Sequence, residues 1–534
     1  MSDRRVPQSA VLETGAEQAA GDPRRWLILA TVALAQLMIV LDLTVVNIAL
    51  PSAQRSLHFA TVDRQWVVTA YALAFGSLLL LLGGRLADLL SRKVTFMAGL
   101  AGFAAVSAVG GAATSFAMLV TARACQGFFA AVMAPSALSV LTNTFQDPKD
   151  RGKAFGVFGA IAGAGGAVGL LLGGALTEFL SWRWTLFVNL VFAGVALAGA
   201  TVLLKREPAP GGQRLDLAGA VLVGGAMFCL VYGCSNAATH NWRTPSACGF
   251  LAAGVIALAA FTVWQARAKA PLLPPRIVLD RNRGGAYLAM LFAGAGMFGI
   301  FLFAAYYLQT TLGYSPVVTG FAFLPMVVVL MVSASVGQIV LMPRTGPKPL
   351  TGLGMLITAA GMVWLTRMGV HSGYASAILG PLLVTAAGLG QVIAPALNTG
   401  TFGVPPHDAG VASATINVGQ QLGGSIGTAL LNTVVTAATA TYLTSHLNPA
   451  AIVAGHPSPA LVRQSLVHGY TVGFWWTAGI FTVGAVVCGT LLRRGPLDPR
   501  QGHAATTAVE HAGKELRMRT SATEWSTITK GASQ

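Results

Sequence analysis

Charge is what this chain has least of. Only 10% of its 534 residues are Asp, Glu, Lys or Arg, with 18 acids against 34 Lys and Arg, where a soluble globular chain carries about 25%. So small a charged complement leaves no room for a water-soluble enzyme or binding module of this size. Cysteine is equally thin. Cys125, Cys229, Cys234, Cys248 and Cys488 lie inside apolar stretches at no metal-binding or framework spacing, so neither a metal site nor disulfides are expected. Apolar residues fill the chain instead: 54% are hydrophobic and a further 63 residues are glycine, in runs long enough to mark transmembrane helices.

Scanned in windows of about 19 residues, those runs predict six spans at 26–49, 65–83, 94–113, 116–141, 154–178 and 184–204. A pair follows at 216–236 and 247–266, then six more at 285–310, 318–342, 350–368, 374–400, 410–440 and 470–492. The expected fold is an all-α polytopic membrane protein of 14 helices. Its parts are a tail at 1–25, a six-helix domain at 26–204, two inserted helices with their loops at 205–284, a second six-helix domain at 285–492, and a tail at 493–534. Both tails are polar and lack apolar periodicity, which predicts disorder. Arg24 and Arg25 before the first run resemble a secretion signal, but the run continues through Asp42 to Pro51, so it reads as a retained helix.

A net charge of +16 suggests nucleic acid until the basic residues are placed. With an even number of spans both termini share one side, and so do the loops holding Arg85, Arg92, Lys93, Lys149, Arg151, Lys153, Lys205, Arg206, Arg267, Lys269, Arg281, Arg283 and Arg344. About 27 basic residues fall on that side and about 6 on the other, which makes it cytoplasmic by the positive-inside rule. The charge therefore reflects topology in a bacterial-type inner membrane, not nucleic-acid binding. The long external loop at 441–469 carries His446, His456 and His468, read as solvated side chains and not as metal ligands.

The chain also repeats itself. A shift of 258 aligns Asp150, Gly152, Ala154, Gly165, Gly166 and Gly169 with Asp408, Gly410, Ala412, Gly423, Gly424 and Gly427, and a shift of 260 aligns Val132, Ala134 and Pro135 with Val392, Ala394 and Pro395. Two six-span units of common origin explain both, with the seventh and eighth spans inserted between them.

Chemistry concentrates in a few polar positions. Asp42 lies in the first span within Leu41-Asp42-Leu43-Thr44-Val45-Val46-Asn47-Ile48-Ala49-Leu50-Pro51, where an acid costs about 2.5 to 3.5 kcal/mol on insertion scales and is a functional candidate by default. Arg123 is the basic residue placed deep in a span, and a fixed cation beside a protonatable carboxyl favours proton release. The two are expected to couple a proton, with no other cofactor. In Gly84-Arg85-Leu86-Ala87-Asp88-Leu89-Leu90-Ser91-Arg92-Lys93, opposite charges beside a helix end suit a cytoplasmic gate that locks and releases two helices. The fifth span holds Gly163, Gly165, Gly166, Gly169, Gly173 and Gly174, spaced for close helix packing and lacking the strand and Lys-Ser/Thr of a phosphate loop. Gly423-Gly424-Ser425-Ile426-Gly427 imitates a hydrolase elbow but sits in an apolar helix. Gln36, Gln126, Gln309, Asn398, Asn417, Gln420 and Gln421 are candidate cavity residues, each equally suited to an interhelical hydrogen bond.

These stretches together resemble the major facilitator superfamily, and within it the fourteen-span drug:proton antiporters, over about residues 26–492. Residues 41–51 are similar to that group's first-span signature, 84–93 to the superfamily's cytoplasmic-loop motif, Arg123, Gln126 and Gly127 to its fourth-span motif, and Trp182-Arg183-Trp184 to a short signature after span five. The departures are Leu89 in place of Arg, Ser91 in place of Gly, and Leu170 in place of the Pro that follows Gly169, while Gly165, Gly169, Gly173 and Gly174 remain. The resemblance implies two six-helix domains rocking in the lipid bilayer about a central cavity that opens alternately to each side, exporting a small lipophilic substrate across the membrane in exchange for protons, as a monomer. A symporter of the same fold and a membrane enzyme are the rival expectations.

Overall fold

The computed structural model describes residues 24–59, 64–78, 91–204, 216–240, 242–268, 271–405, 408–446 and 458–497. Fourteen long helices lie among them: α1 (Arg24–Leu57), α2 (Arg64–Leu78), α3 (Arg92–Gly111), α4 (Phe116–Thr144), α5 (Pro148–Phe179), α6 (Trp184–Leu203), α7 (Leu217–His240) and α8 (Pro245–Arg267). Then come α9 (Arg281–Tyr306, extended by a π turn Tyr307–Thr311), α10 (Pro316–Val336, extended through Gly337–Leu341 and Met342–Thr345) and α11 (Pro347–Leu365). A π turn Tyr374–Leu379 leads into α12 (Gly380–Thr401), followed by α13 (Ala409–Ser445) and α14 (Pro459–Leu491). Eleven are long and apolar enough to cross a membrane; α2, α5 and α7 complete the set. The chain is a multi-pass membrane protein, and its lipid-facing surface includes Val191, Val195, Val202, Val255 and Ile256.

Hydrogen bonds gather the loops of one end. Lys93 Nζ donates to the carbonyls of Thr201 (2.8 Å) and Leu204 (2.6 Å), satisfying the last turn of α6. Arg281 does the same for α14 at Thr490 (2.9 Å) and Leu491 (3.2 Å). We call this the basic end. At the opposite end Arg183 Nη1 donates to the carbonyls of Gly111 (3.0 Å) and Ala113 (2.6 Å), closing α3, while its guanidinium stacks on Trp182. The Trp-Arg-Trp sequence is thus a helix cap delivered from the neighbouring loop.

In the first half α1 packs on α4, α5 and α6, α3 on α4 and α6, and α2 on α4; in the second, α9 packs on α12, α13 and α14, α11 on α12 and α14, and α10 on α12. Between the halves α5 lies along α10 and touches α12, and α4 meets α13. The inserted α7 and α8 pair with each other, and α7 seats on α2 and α13, one helix from each half.

The repeat is visible in the contacts. Gly165, Gly169 and Gly173 bring α5 onto Val40, Thr44 and Val45 of α1, while Gly419, Gly423 and Gly427 bring α13 onto Tyr287, Leu291 and Ala295 of α9; a Cβ at any of the six would press on the facing helix. The hydrolase-like run is therefore packing surface. Gly174 is buried next to Gly173. Each half also ties its first helix or the turn before it to its fifth by an ion pair, Arg25 to Asp150 at 2.8 Å and Arg276 to Asp408 at 2.7 Å. Arg25, Val40 and Thr44 correspond to Arg276, Leu291 and Ala295 at one constant offset of 251. Pro135 and Pro395 lie inside α4 and α12.

Of the expected cytoplasmic-loop motif, Gly84, Arg85, Asp88 and Leu89 lie outside the described residues, as do most of both tails. Ser91 is described, and it holds φ at +122° while its Oγ caps Val94 N at 3.4 Å. That backbone region is open to glycine, the residue the resemblance places there, and strains any side chain by about 1 to 3 kcal/mol. Ser91→Gly should relieve the strain and lose only a few tenths of a kcal/mol of capping. Thermal unfolding in detergent should show a higher melting temperature for the variant; an unchanged or lower one would show that the serine backbone is relaxed.

Candidate functional site

A carboxylate and a guanidinium meet inside the first half. Asp42 and Arg123 are each about 1% exposed, and Arg123 Nη1 donates to Asp42 Oδ2 at 2.5 Å. The same nitrogen donates to Gln126 Oε1 at 2.9 Å, and Nε donates to the Val67 carbonyl at 3.2 Å. The guanidinium lies over the Tyr71 ring, 4.5 Å from its centroid. The other carboxylate oxygen, Oδ1, accepts from Gln126 Nε2 at 3.2 Å and from Asn189 Nδ2 at 2.8 Å. Ser107 Oγ closes the ring, accepting from Gln126 Nε2 at 2.7 Å with Asn189 Nδ2 at 3.5 Å. Six helices, α1 to α4 and α6 directly and α5 through its glycine face on Val40, Thr44 and Val45, position one buried charge pair.

The fourth-span motif owes its spacing to this ring. Arg123 and Gln126, three residues apart, share a face of α4, and Gly127 presses α4 onto the Tyr71 carbonyl and Ala74 of α2. The nearby helix ends fix the depth of the ring. Ser107 lies four residues from the end of α3 and Asn189 five from the start of α6, about 6 to 8 Å at 1.5 Å per residue. The ring is thus shifted toward the end opposite the basic loops, and α1 runs on to Leu57, past the expected limit at 49. A hydropathy window finds apolar length, not axial position.

A second polar cluster joins the halves at the basic end. Arg151, buried on α5, donates from Nε to Asn398 Oδ1 (2.9 Å) and from Nη2 to Thr401 Oγ1 (2.8 Å) on α12, and Asn398 Nδ2 donates to Gln338 Oε1 (3.2 Å) on α10. Gly152, Gly156 and Gly159 bring α5 close to Gln338, Ser335 and Ala394. Of the expected gate residues, Lys93 is committed to α6 within the first half and Arg92 opens α3 half-buried.

The candidate cavity residues separate. Gln126 belongs to the charge ring and Asn398 to the interhalf cluster. Gln36 is buried on α1; Gln309, Asn417, Gln420 and Gln421 are half-buried, and Asn417 Nδ2 bonds its own helix at the Ser413 carbonyl (2.9 Å). No hydrogen bond joins these five to one another among the described residues. Of the other acids, Glu178 is exposed, Asp408 is buried at the start of α13 and paired with Arg276, and Asp216 is fixed at the start of α7. Partial burial raises the Asp216 pKa, but donors from Gly219, Trp264, Gln265 and Leu272 outweigh that and hold it below the ordinary carboxylate value. His446 and His468 stack on Tyr442 at 4.1 and 4.7 Å, while His456 lies outside the described residues.

Asn189, Ser107 and Tyr71 were not singled out from the sequence. The signal for Asn189 was available: it is an amide in an otherwise strongly apolar span, five residues after the Trp-Arg-Trp signature. Ser107 and Tyr71 carry no such mark.

The profile of the Major Facilitator Superfamily matches residues 32–428. The chain is 45% identical to the puromycin resistance protein of Streptomyces alboniger over 92% of its own length and 95% of that protein's. It is 42% identical to a cephamycin export protein of Amycolatopsis lactamdurans over 75% and 83% of the two chains. It is 37% identical to a tetracenomycin C resistance and export protein of Streptomyces glaucescens over 79% and 78%. Among solved structures, a human organic anion transporter superposes at a TM-score of 0.58 with 16% identity, covering 88% of this chain and 100% of that one. A proton:xylose symporter superposes at 0.57 with 14% identity, covering 88% and 96%. The fold is shared with both, and the relatives are resistance and export proteins, not enzymes.

Removing one partner of a buried ion pair strands the other, at a cost of about 3 to 5 kcal/mol. Arg123→Ala should therefore lower the melting temperature sharply, and Arg123→Lys, which keeps charge but not the planar fork, should fall between it and wild type. Asp42→Asn combined with Arg123→Met should recover much of the lost stability without recovering transport. A double variant that is both stable and active would show that the pair serves folding alone.

Proposed function

The chain belongs to the Major Facilitator Superfamily, and we propose that it exports lipophilic antibiotics or similar natural products in exchange for protons, by alternating access. The buried Asp42–Arg123 pair carries this reading. Near-complete burial of a titratable acid is costly, and Asp42 is held here by three neutral or cationic partners, Arg123, Gln126 and Asn189. Relatives at 37 to 45% identity bear the names of puromycin, cephamycin and tetracenomycin C.

The basic end faces the cytoplasm and both termini lie there, by the excess of Lys and Arg in its loops. The charge ring then lies toward the outer face, within reach of protons from outside. Protonation of Asp42 removes the negative partner of Arg123 and loosens the tie between α1 and α4; release of the proton to the inside restores it. Arg151 with Asn398, Thr401 and Gln338 holds the halves together at the cytoplasmic end and must part when the cavity opens inward. Its contacts are to neutral groups, so opening separates no pair of opposite charges. A proton falling through 100 mV supplies about 2.3 kcal/mol, enough for roughly a fifty-fold gradient of a neutral substrate.

Among the described residues Asp42 is the acid buried well inside a span, whereas the buried Asp408 of the second half stands at the start of α13 and pairs with Arg276. At the repeat's offsets, Asp42, Arg123 and Gln126 correspond to Ala293, Leu383 and Ala386. A single deep carboxylate fits one proton per cycle and a neutral or singly charged cargo held mainly by apolar contacts. The protein works as a monomer in the bilayer.

In inverted vesicles energised by respiration, puromycin should partly collapse the proton gradient with wild type and leave it intact with Asp42→Asn at equal expression. Faster puromycin uptake by intact cells would point to import and overturn the proposal. Matched lipophilic cations test the cargo rule: resistance should rise for the monovalent compound, and equal resistance to the divalent one would refute the single-acid argument.

A further inference from the structure

Asn189 is fully buried, and its two ends are treated unequally. Nδ2 donates to Asp42 Oδ1 at 2.8 Å, while Oδ1 is buried with no hydrogen-bond partner. A carboxylate accepts only, so the amide nitrogen must face Asp42 while that group is ionised. The orphaned oxygen is the counterpart of that choice, and a buried acceptor left unpaired is costly enough to need a reason.

Protonation inverts the requirement. The carboxyl then has one O–H to donate, and the acceptors around it are mostly taken: Gln126 Oε1 by Arg123 at 2.9 Å and Ser107 Oγ by Gln126 at 2.7 Å. We propose that Asn189 is a two-position amide that follows the charge of Asp42, donating from Nδ2 to the carboxylate and, after a half turn about its last torsion, accepting the carboxyl proton on Oδ1. This rests on the reading that Asp42 carries the proton. The turn exchanges two groups of nearly equal size, so it needs no backbone movement. It lets one residue satisfy both charge states and makes α6 a partner in the coupling. The charged or titratable groups facing Asn189 and its carboxylate are Asp42 from α1, Arg123 from α4 and Tyr71 from α2, and α3 contributes the Ser107 hydroxyl. Asn189 is a positioning residue: it acts on the proton through Asp42.

The test is infrared difference spectroscopy between high and low pH on the full-length protein in proteoliposomes, which requires no substrate. Wild type should show a carboxylic acid band rising at low pH together with a side-chain amide carbonyl change, and Asp42→Asn should lose both. Asn189→Leu should keep the acid band and lose the amide change. Its titration midpoint should rise by about one pH unit or more, because the ionised form loses the stronger of the two hydrogen bonds. Asn189→Ser, a gentler change that keeps a hydroxyl, should also lose the amide change and shift the midpoint less. An amide change that persists in either variant, one absent from wild type, or a midpoint unmoved in Asn189→Leu overturns the proposal. A wild type without the acid band fails at the earlier step, because Asp42 then does not take up a proton, and the coupling reading falls with the amide switch.

Discussion

A carboxylate moved from water into a protein interior loses solvation worth several kcal/mol even after relaxation, and an unpaired guanidinium loses a comparable amount. Asp42 and Arg123 are both in that position, at about 1% exposure, and each is tolerable only because the other is there. Much of the first half is arranged around that condition. Gly127 lets α4 approach α2, so that Arg123 reaches the Val67 carbonyl and lies over Tyr71. Gly165, Gly169 and Gly173 seat α5 on the turn of α1 that bears Asp42. Gln126, Asn189 and Ser107 fill the remaining hydrogen-bond positions. Change the charge of one atom and several helix contacts lose their reason together, which is the property a proton-driven transporter needs.

The second half has the same skeleton without the charges. Its first and fifth helices meet through the same glycine spacing and an equivalent Arg–Asp tie at the basic end, yet Ala293 and Ala386 stand where the first half has Asp42 and Gln126. The halves thus share packing and differ in chemistry. The inserted α7 touches both through α2 and α13, so any rocking of one half against the other must be absorbed along that helix as well as at the Arg151 cluster.

Helix number and type were legible because each span is a long apolar run, and each predicted span has its helix. The charge pair was legible too, since an acid and a base inside apolar segments advertise themselves by their cost. Axial position was not: hydropathy windows carry no depth, and it is Ser107 and Asn189, close to the ends of α3 and α6, that place the ring toward one end. The ring around the pair was half visible. Gln126 and Asn398 suit either a cavity or an interhelical hydrogen bond, and each makes the latter, Gln126 to Asp42 and Ser107 and Asn398 with Arg151; sequence reveals that an amide is buried, not which neighbour it faces. Arg151 itself read as one more topogenic charge, because nothing in its loop distinguishes a basic residue turned inward from one left in water.

If Asp42 is the proton carrier, cargo and proton compete for one half of the transport cycle, and binding must displace a proton. Calorimetric titration of the purified protein with puromycin, repeated in buffers of different ionisation enthalpy, reads that number directly. Near the midpoint of the wild-type pH profile a substantial fraction of a proton should leave per molecule bound, and Asp42→Asn should bind without release. Equal release by wild type and Asp42→Asn would place the coupling group elsewhere and contradict the account.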